Sequence, residues 1–319
     1  MRNLATALDD AYARYTYVML SSVMASNPGE RFRFILLSDD LREDTKAMLQ
    51  ELAEPQGCEM LFLSIDPAPF APFKDRGWAL PAAFRLQLPE LFPDPGPLLY
   101  LDGDILVHDR LAPLYETDLQ GHLLGACRDM TVNPNTTAYY APMRDARINR
   151  ILEGGQYFNS GVLLIDMKKW STYSLDHYLK LLDDLGGKVA APDQDLLNVA
   201  HEGDWLPLDE IRYDLFAAIA RDHEVTVDEV REQNTILHFA GDKPWQGGHI
   251  HFAIEGLWWE YALKTPFAES FLAEYLRTSL TDQTIFQTVK EISEQNERLA
   301  EELNGNLDRA RELLAKIQH

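Results

Sequence analysis

The sequence predicts an α/β protein: a single doubly wound, mostly parallel sheet with a C-terminal helical extension. Three features carry this expectation. Short apolar runs alternate with segments of helical spacing through the first third of the chain. Some of these runs become apolar at every position, as strands covered on both faces do. The final segment changes character and follows heptads.

In chain order, "NLATAL" is a first short strand, followed by helical spacing from Asp10 to Ser26 through Tyr12, Tyr15, Met19 and Val23. "RFRFILLS" alternates and then turns fully apolar, as a strand entering a parallel sheet does. "DDLREDTKAMLQELAE" is a helix with Asp39 or Asp40 as its expected cap and acids in its first turn. "CEMLFLSI" is a strand, "PAAFRLQLPELF" a short helix and "PLLYLD" a strand. Such strand–helix–strand repetition favours right-handed crossovers and parallel neighbours. "HLLGACRDMTV", "VLLID" and "TILHFAG" add apolar segments to the less regular middle of the domain. The compact domain is expected over residues 1–265, with a helical segment over 266–319.

From Ile285 a heptad register runs through Val289, Ile292, Asn296, Leu299, Leu303, Asn306, Ala310, Leu313 and Ile317. It is compatible with a surface helix packed on its own domain or with a coiled coil that makes the chain a homo-oligomer.

The 319 residues carry 51 acidic and 29 basic side chains, a formal net charge of −22. That balance excludes the electropositive footprint of a nucleic-acid binder. A phosphorylated ligand would need local cations or a metal. No stretch approaches the ~18 apolar residues of a membrane span. Two cysteines, Cys58 and Cys127, lack metal-site spacing, and a cytoplasmic location is the default expectation.

The chemistry centres on "LLYLDGDILV". In a doubly wound sheet, ligands bind beyond the carboxyl ends of the strands. Asp102 and Asp104 stand where the apolar run ends, so they belong on that rim. Two close carboxylates raise each other's pKa unless a cation lies between or beside them. A divalent ion relieves the repulsion and leaves positions for phosphate oxygens. Mn²⁺ also accepts an imidazole from elsewhere in the chain. Alone, the pattern is also that of solvated loop acids.

In order along the chain, "YLDGDILV", "YFNSGVLLIDMKKW", "PDQDLLN" and "LHFAGDKPW", with "ALDDAYARY" at the start, resemble glycosyltransferase family 8. The resemblance covers roughly residues 1–265. It implies a GT-A-type fold with a Rossmann-like nucleotide-binding half. It also implies a retaining, metal-dependent hexosyltransferase that uses a UDP-sugar donor and a glycan or protein hydroxyl acceptor. By matching positions, Asp102, Asp104 and His238 would ligate Mn²⁺ (or Mg²⁺). Asp9, Asp10 and Tyr12 would hold the uridine, with Gly103 between the acidic ligands. Arg85, Gly241 and Lys243 would meet the diphosphate. Asn159, Ser160, Asp129, Asp193 and Gln194 would surround the transferred sugar, Gln194 on the face opposite the leaving group. Asp195 is expected to hold local structure. The transferase would be cytoplasmic, or peripheral at the inner face of a membrane.

This chain departs from the family pattern at Ala11, where Asn is common, and at "GDKPW", where Asp242 alone separates the glycine from Lys243. Competing readings are a nucleotidyltransferase, disfavoured by the acidic "ALDDAYARY", and a weak or inactive nucleotide-binding domain on a coiled-coil assembly protein. A self-glycosylating protein would use Tyr139 or Tyr140, which otherwise read as loop aromatics.

Overall fold

A computed structural model describes residues 1–74, 79–246, 252–279, 290–291, 293–298 and 305. Contacts divide the chain into two compact units, Met1–Pro244 with His251–Thr265, and Trp245–Ile250 with Pro266–His319.

The apolar runs form the strands β1 (Arg2–Ala7), β2 (Phe32–Ser38), β3 (Glu59–Ser64) and β4 (Pro97–Leu101). Next come β5 (Ile105–Val107), β6 (Leu124–Arg128) and β7 (Phe158–Asp166). The last three are β8 (Trp205–Pro207), β9 (Leu215–Phe216) and β10 (Ile236–His238). Seven strands make the main sheet in the order β3-β2-β1-β4-β7-β6-β8. The β1–β4 half is parallel throughout, and β6 and β8 are parallel. Only β7 runs against its neighbours β4 and β6. That reversal sets the start of β7 beside the end of β4, on the rim where a doubly wound sheet binds its ligands.

Strand period fixes two separate cores. In β4, Leu98 and Tyr100 enter the cluster on one face of the sheet, while Leu99 and Leu101 enter the cluster on the other. The same alternation splits β2, with Ile35 and Leu37 on one side and Phe34 and Leu36 on the other. Side chains two apart share a face, so a run apolar at every position must be buried twice.

A second sheet, β5-β10-β9, pairs β10 antiparallel with β5 and parallel with β9. It follows directly from β4, with only Asp102, Gly103 and Asp104 between the two sheets.

The helix after β1 spans Ala13–Ser26, and the Asp9 carboxylate accepts from the Tyr12 N–H at 2.7 Å just before it. The expected cap of the next helix is corrected. It spans Glu43–Ala53, beyond the reach of Asp39 or Asp40, and has Arg42 at its N-cap with no side-chain cap. Asp10 ties this helix start down from outside, accepting from the Arg42 N–H at 3.2 Å and the Thr45 hydroxyl at 2.7 Å. Glu43 and Asp44 supply the expected first-turn acids.

In the second unit the helix Ala268–Ser279 is described, with Phe271 buried and Leu272 and Leu276 exposed. The heptad register from Ile285 lies outside the described residues except at Asn296. No described helix is long and apolar enough to cross a membrane.

Behind the sheet, the Trp170 indole N–H donates to the Tyr178 hydroxyl at 2.6 Å, and that hydroxyl lies 2.8 Å from His201 Nε2. Burial lowers His201 to a pKa of about 4, so the ring stays neutral in the folded chain. The unfolded chain then takes up the proton first as pH falls. This contribution to stability is complete above about pH 6.5 and disappears as pH approaches 4, a loss on the order of 2–3 kcal/mol. We expect denaturation across that window to show a shallower fall in stability for His201→Gln than for wild type. Parallel curves would remove His201 as a source of the acid sensitivity.

Candidate active site

The site forms where the chain leaves one sheet for the other. Asp102 follows β4, and its N–H donates to the Gly161 carbonyl at 2.9 Å, continuing the β4–β7 ladder by one residue. Asp104 precedes β5, and its carbonyl accepts from the Phe239 N–H at 3.0 Å, continuing the β5–β10 ladder. In the register of that ladder His238 lies opposite Ile105. Strand pairing thereby carries His238 across more than a hundred residues to the two aspartates. One ligand atom from each of Asp102, Asp104 and His238 falls within 4.8 Å of the others.

Asp214 completes the arrangement. It sits just before β9, whose Phe216 is the register partner of His238, and it is fully buried. Its carboxyl lies within hydrogen-bond distance of His238 Nδ1, at 2.8 Å, and Nε2 faces Asp104 at 3.4 Å. An imidazole oriented through one nitrogen by a buried carboxylate is the usual form of a metal-ligating histidine. Gly161 provides the room: a Cβ there would come within 2.4 Å of the His238 ring and 2.9 Å of the Asp102 carboxylate. Two carboxylates and one oriented imidazole fit Mn²⁺ well, and Mg²⁺ less well because it prefers oxygen.

Charge at this rim is balanced from several sides. Arg85 is only 2% exposed, a buried cation. Its guanidinium donates to Asp102 at 2.6 Å and to the Ser160 carbonyl, pairs with Asp193 at 3.2 Å and lies over the Tyr100 ring at 4.4 Å. Burial still leaves the Asp102 carboxyl above the ordinary range, although Arg85 opposes it. Burial also works against ionised Asp104, but Lys243 and His238 prevail and hold its carboxyl well below that range. The Lys243 ammonium donates to Asp104 and to the Phe239 carbonyl, the latter at 2.7 Å. His238 is lowered by burial but pushed up to about 10 by Asp104 and Asp214.

A second cluster adjoins the first. The Gln194 carbonyl accepts from the Asn159 amide at 3.1 Å and the Ser160 N–H at 3.0 Å, while its NH₂ donates to Asp129 at 2.8 Å. The Ser160 hydroxyl donates to Asp193 at 3.2 Å. Asp193 and Gln194 open the helix Pro192–Ala200, and Asn159 and Ser160 open β7. Asp195 has the expected structural role, accepting from the N–H groups of Ala190 and Ala191 and from the Tyr157 hydroxyl.

A cavity of about 300 Å³ opens beside the aspartates, with Asp9, Tyr12, Arg85, Tyr100, Asp102 and Asp104 in its wall. The Tyr12 ring packs on Gly103, where a Cβ would meet it at 3.0 Å. Asp10 is absent from the wall, being committed to Arg42 and Thr45. Gly241 lies in the turn between β10 and Lys243. Asp214, Gly161 and Tyr100 escape sequence reasoning: "RYDLF" has no recognisable spacing to "LHFAG", and the other two read as ordinary strand residues.

The geometry predicts graded effects on metal affinity. Asp214→Ala strips the partner from His238 Nδ1 and should weaken Mn²⁺ binding about 10–100-fold, while Asp214→Asn, able to keep the hydrogen bond, should lose less. Gly161→Ala should weaken it as well by driving His238 and Asp102 apart. Mn²⁺ titration followed by electron paramagnetic resonance, with thermal melts as a folding control, measures all three. Unchanged affinity in well-folded Asp214→Ala would rule out the orienting role.

Residues 3–248 match Glycosyl transferase family 8. Glycosyltransferase GlyF of Streptococcus pneumoniae serotype 4 is 30% identical over 82% of this chain. The chain spans 61% of GlyF, about three fifths of its length. A lipopolysaccharide 1,2-glucosyltransferase of Escherichia coli K12 is 26% identical, covering 79% of this chain and 75% of that protein. Among solved structures, an active-site mutant of LgtC superposes with a TM-score of 0.70 at 26% identity, covering 85% of this chain and 99% of that one. Galactosyltransferase LgtC in complex with donor and acceptor sugar analogs gives 0.64 at 26% identity, covering 88% and 97%. The α/β architecture expected from the sequence is thus the GT-A-type fold, and the chain belongs to glycosyltransferase family 8.

Proposed function

We propose that this protein is a retaining, metal-dependent hexosyltransferase that moves a sugar from a UDP-sugar to a hydroxyl of a glycan or protein acceptor. The observation that carries this reading is the convergence of Asp102, Asp104 and His238 within 4.8 Å at the mouth of the cavity. Few arrangements give so acidic a chain a place for a nucleoside diphosphate, because its phosphates need positive charge.

In this reading Asp9 and Tyr12 hold the uridine end, and Asp10 acts only indirectly through the following helix. Asp102, Asp104 and His238 hold a divalent ion. When bound, that ion supplies Lewis-acid stabilisation of the charge that develops on the departing diphosphate. Arg85 and Lys243 reinforce it from the protein side. Arg85 is fixed by its buried partners, whereas Lys243 would exchange Asp104 for a phosphate oxygen.

The bond between the anomeric carbon and the β-phosphate oxygen breaks with oxocarbenium-like character. The acceptor oxygen then forms the new bond on the same face, and its proton passes to the departing phosphate. Gln194 is a neutral amide whose carbonyl already accepts two hydrogen bonds, which makes it a poor nucleophile. A dipole held that firmly suits positioning and electrostatic support of the sugar face opposite the leaving group. Asp129 and Asp193, with Asn159 and Ser160, would take sugar hydroxyls.

Calorimetry of UDP binding tests the metal and nucleotide together. Wild type should bind UDP at least 10-fold more tightly with Mn²⁺ than without it, and Asp104→Ala should erase that gain. Equal affinity in all four titrations would remove the metal-bridged reading. Metal-dependent hydrolysis across a UDP-sugar panel should identify the donor, and an α-linked product from an α-linked donor, read by NMR, would establish retention. An inverted product would exclude the same-face route.

A further inference from the structure

The segment between β6 and β7 carries exposed apolar groups in an unusual concentration. Tyr139 is 68% exposed, Tyr140 39% and Met143 51%, all within five residues of each other. Single exposed apolar side chains need no explanation, but a contiguous group of them marks an interaction surface.

This group is firmly built. Asn133 and Thr136 form a reciprocal capping box at the start of the helix Pro134–Tyr140. The Asn149 amide donates to the Ala141 carbonyl at 3.1 Å and fixes the turn that follows. Arg144 lies between the rings of Tyr140 and Tyr157, 5.2 and 5.6 Å from their centroids, and pairs with buried Asp195 at 3.3 Å. The Tyr139 and Tyr140 rings meet edge to face at 4.9 Å. A surface held in place before binding loses little conformational freedom on contact.

Both ends of the segment are tied to the sugar-side cluster. At its start Asp129 accepts from Gln194, and at its end Arg144 reaches Asp195 on the same helix. The exposed rings therefore lie on a segment both of whose ends are bonded to the helix that carries the cluster proposed to hold the transferred sugar. Their chemistry suits a neutral carbohydrate. An aromatic face packs against the C–H face of a pyranose, and a phenol hydroxyl adds a hydrogen bond at the ring's edge. Polyanions are poorly matched, because Arg144, the cation over the Tyr140 ring, is already committed to Asp195.

We propose that Tyr139, Tyr140 and Met143 form a stacking platform for the neutral glycan acceptor of this enzyme. The proposal rests on the transferase reading above and names the acceptor side of the same site. On this view the platform takes a sugar unit beyond the one that reacts, and it sets acceptor affinity without touching the donor.

A neutral-oligosaccharide array, probed with the full chain in the presence of UDP and Mn²⁺, tests this directly. Wild type should bind a subset of the glycans. Tyr139→Ala should bind that subset about 10-fold more weakly, and Tyr139→Trp, which keeps an aromatic face, should restore it. Calorimetric UDP affinity should be the same in all three proteins. Identical array binding by wild type and Tyr139→Ala, or no glycan bound by wild type, overturns the platform. A change in sedimentation mass with Tyr139→Ala would instead make the surface a contact between copies of the chain, and likewise overturns it. Loss of metal-dependent UDP binding in wild type would defeat the transferase reading itself, an outcome separable from the others.

Discussion

The rim of the sheet carries two half-buried carboxylates separated by one residue, and much of the surrounding structure exists to hold them there. Asp102 and Asp104 cannot both ionise in a poorly solvated site without compensation. Arg85 answers Asp102, Lys243 and His238 answer Asp104, and Asp214 answers His238. Removing one partner from a fully buried pair such as Asp214–His238 costs about 3–5 kcal/mol, whereas a surface pair contributes about 0–1. The partners come from three separate stretches of chain, so the site ties the fold together where its strands end.

Two features of the sheets make this convergence geometric. Reversal of β7 places Asn159, Ser160 and Gly161 beside the end of β4, where a parallel strand would have left them at the opposite edge. The β5-β10-β9 ribbon then continues from the aspartate turn and brings His238 and Asp214 into line with it. Gly161 is the point at which the two arrangements meet, and the clearance around it is too small for any side chain.

Cations with different freedom surround the acidic pair. Arg85 is locked by two carboxylates, a carbonyl and an aromatic ring, so it can shape the site without moving. Lys243 is a point charge on a flexible stem, which can change partners more readily. The shortened "GDKPW" turn still brings Lys243 to the aspartates, and Asp242 does not displace it there. Gln194, by contrast, is held through both ends of its amide, which fixes its dipole in place.

Much of this was readable from residue order alone. Apolar periodicity specifies the strands because a buried run must satisfy the pleat on both faces, and the family resemblance follows from five ordered motifs. Those motifs also name Asp102, Asp104 and His238, since carboxylates at a strand end have few stable uses without a cation. The periodicity did not give the start of the Glu43–Ala53 helix, which has Arg42 and no side-chain acceptor at its N-cap and is tied down by Asp10, a residue distant in sequence. Nor did it give Asp214, Gly161 or the exposed rings after Asp129, whose significance depends on partners far away in sequence. The sequence by itself determined the doubly wound architecture, the family and the acidic turn at the end of β4. Only the tertiary structure decided which groups meet at that turn, because strand register and the direction of β7 are set by long-range pairing that no local pattern encodes.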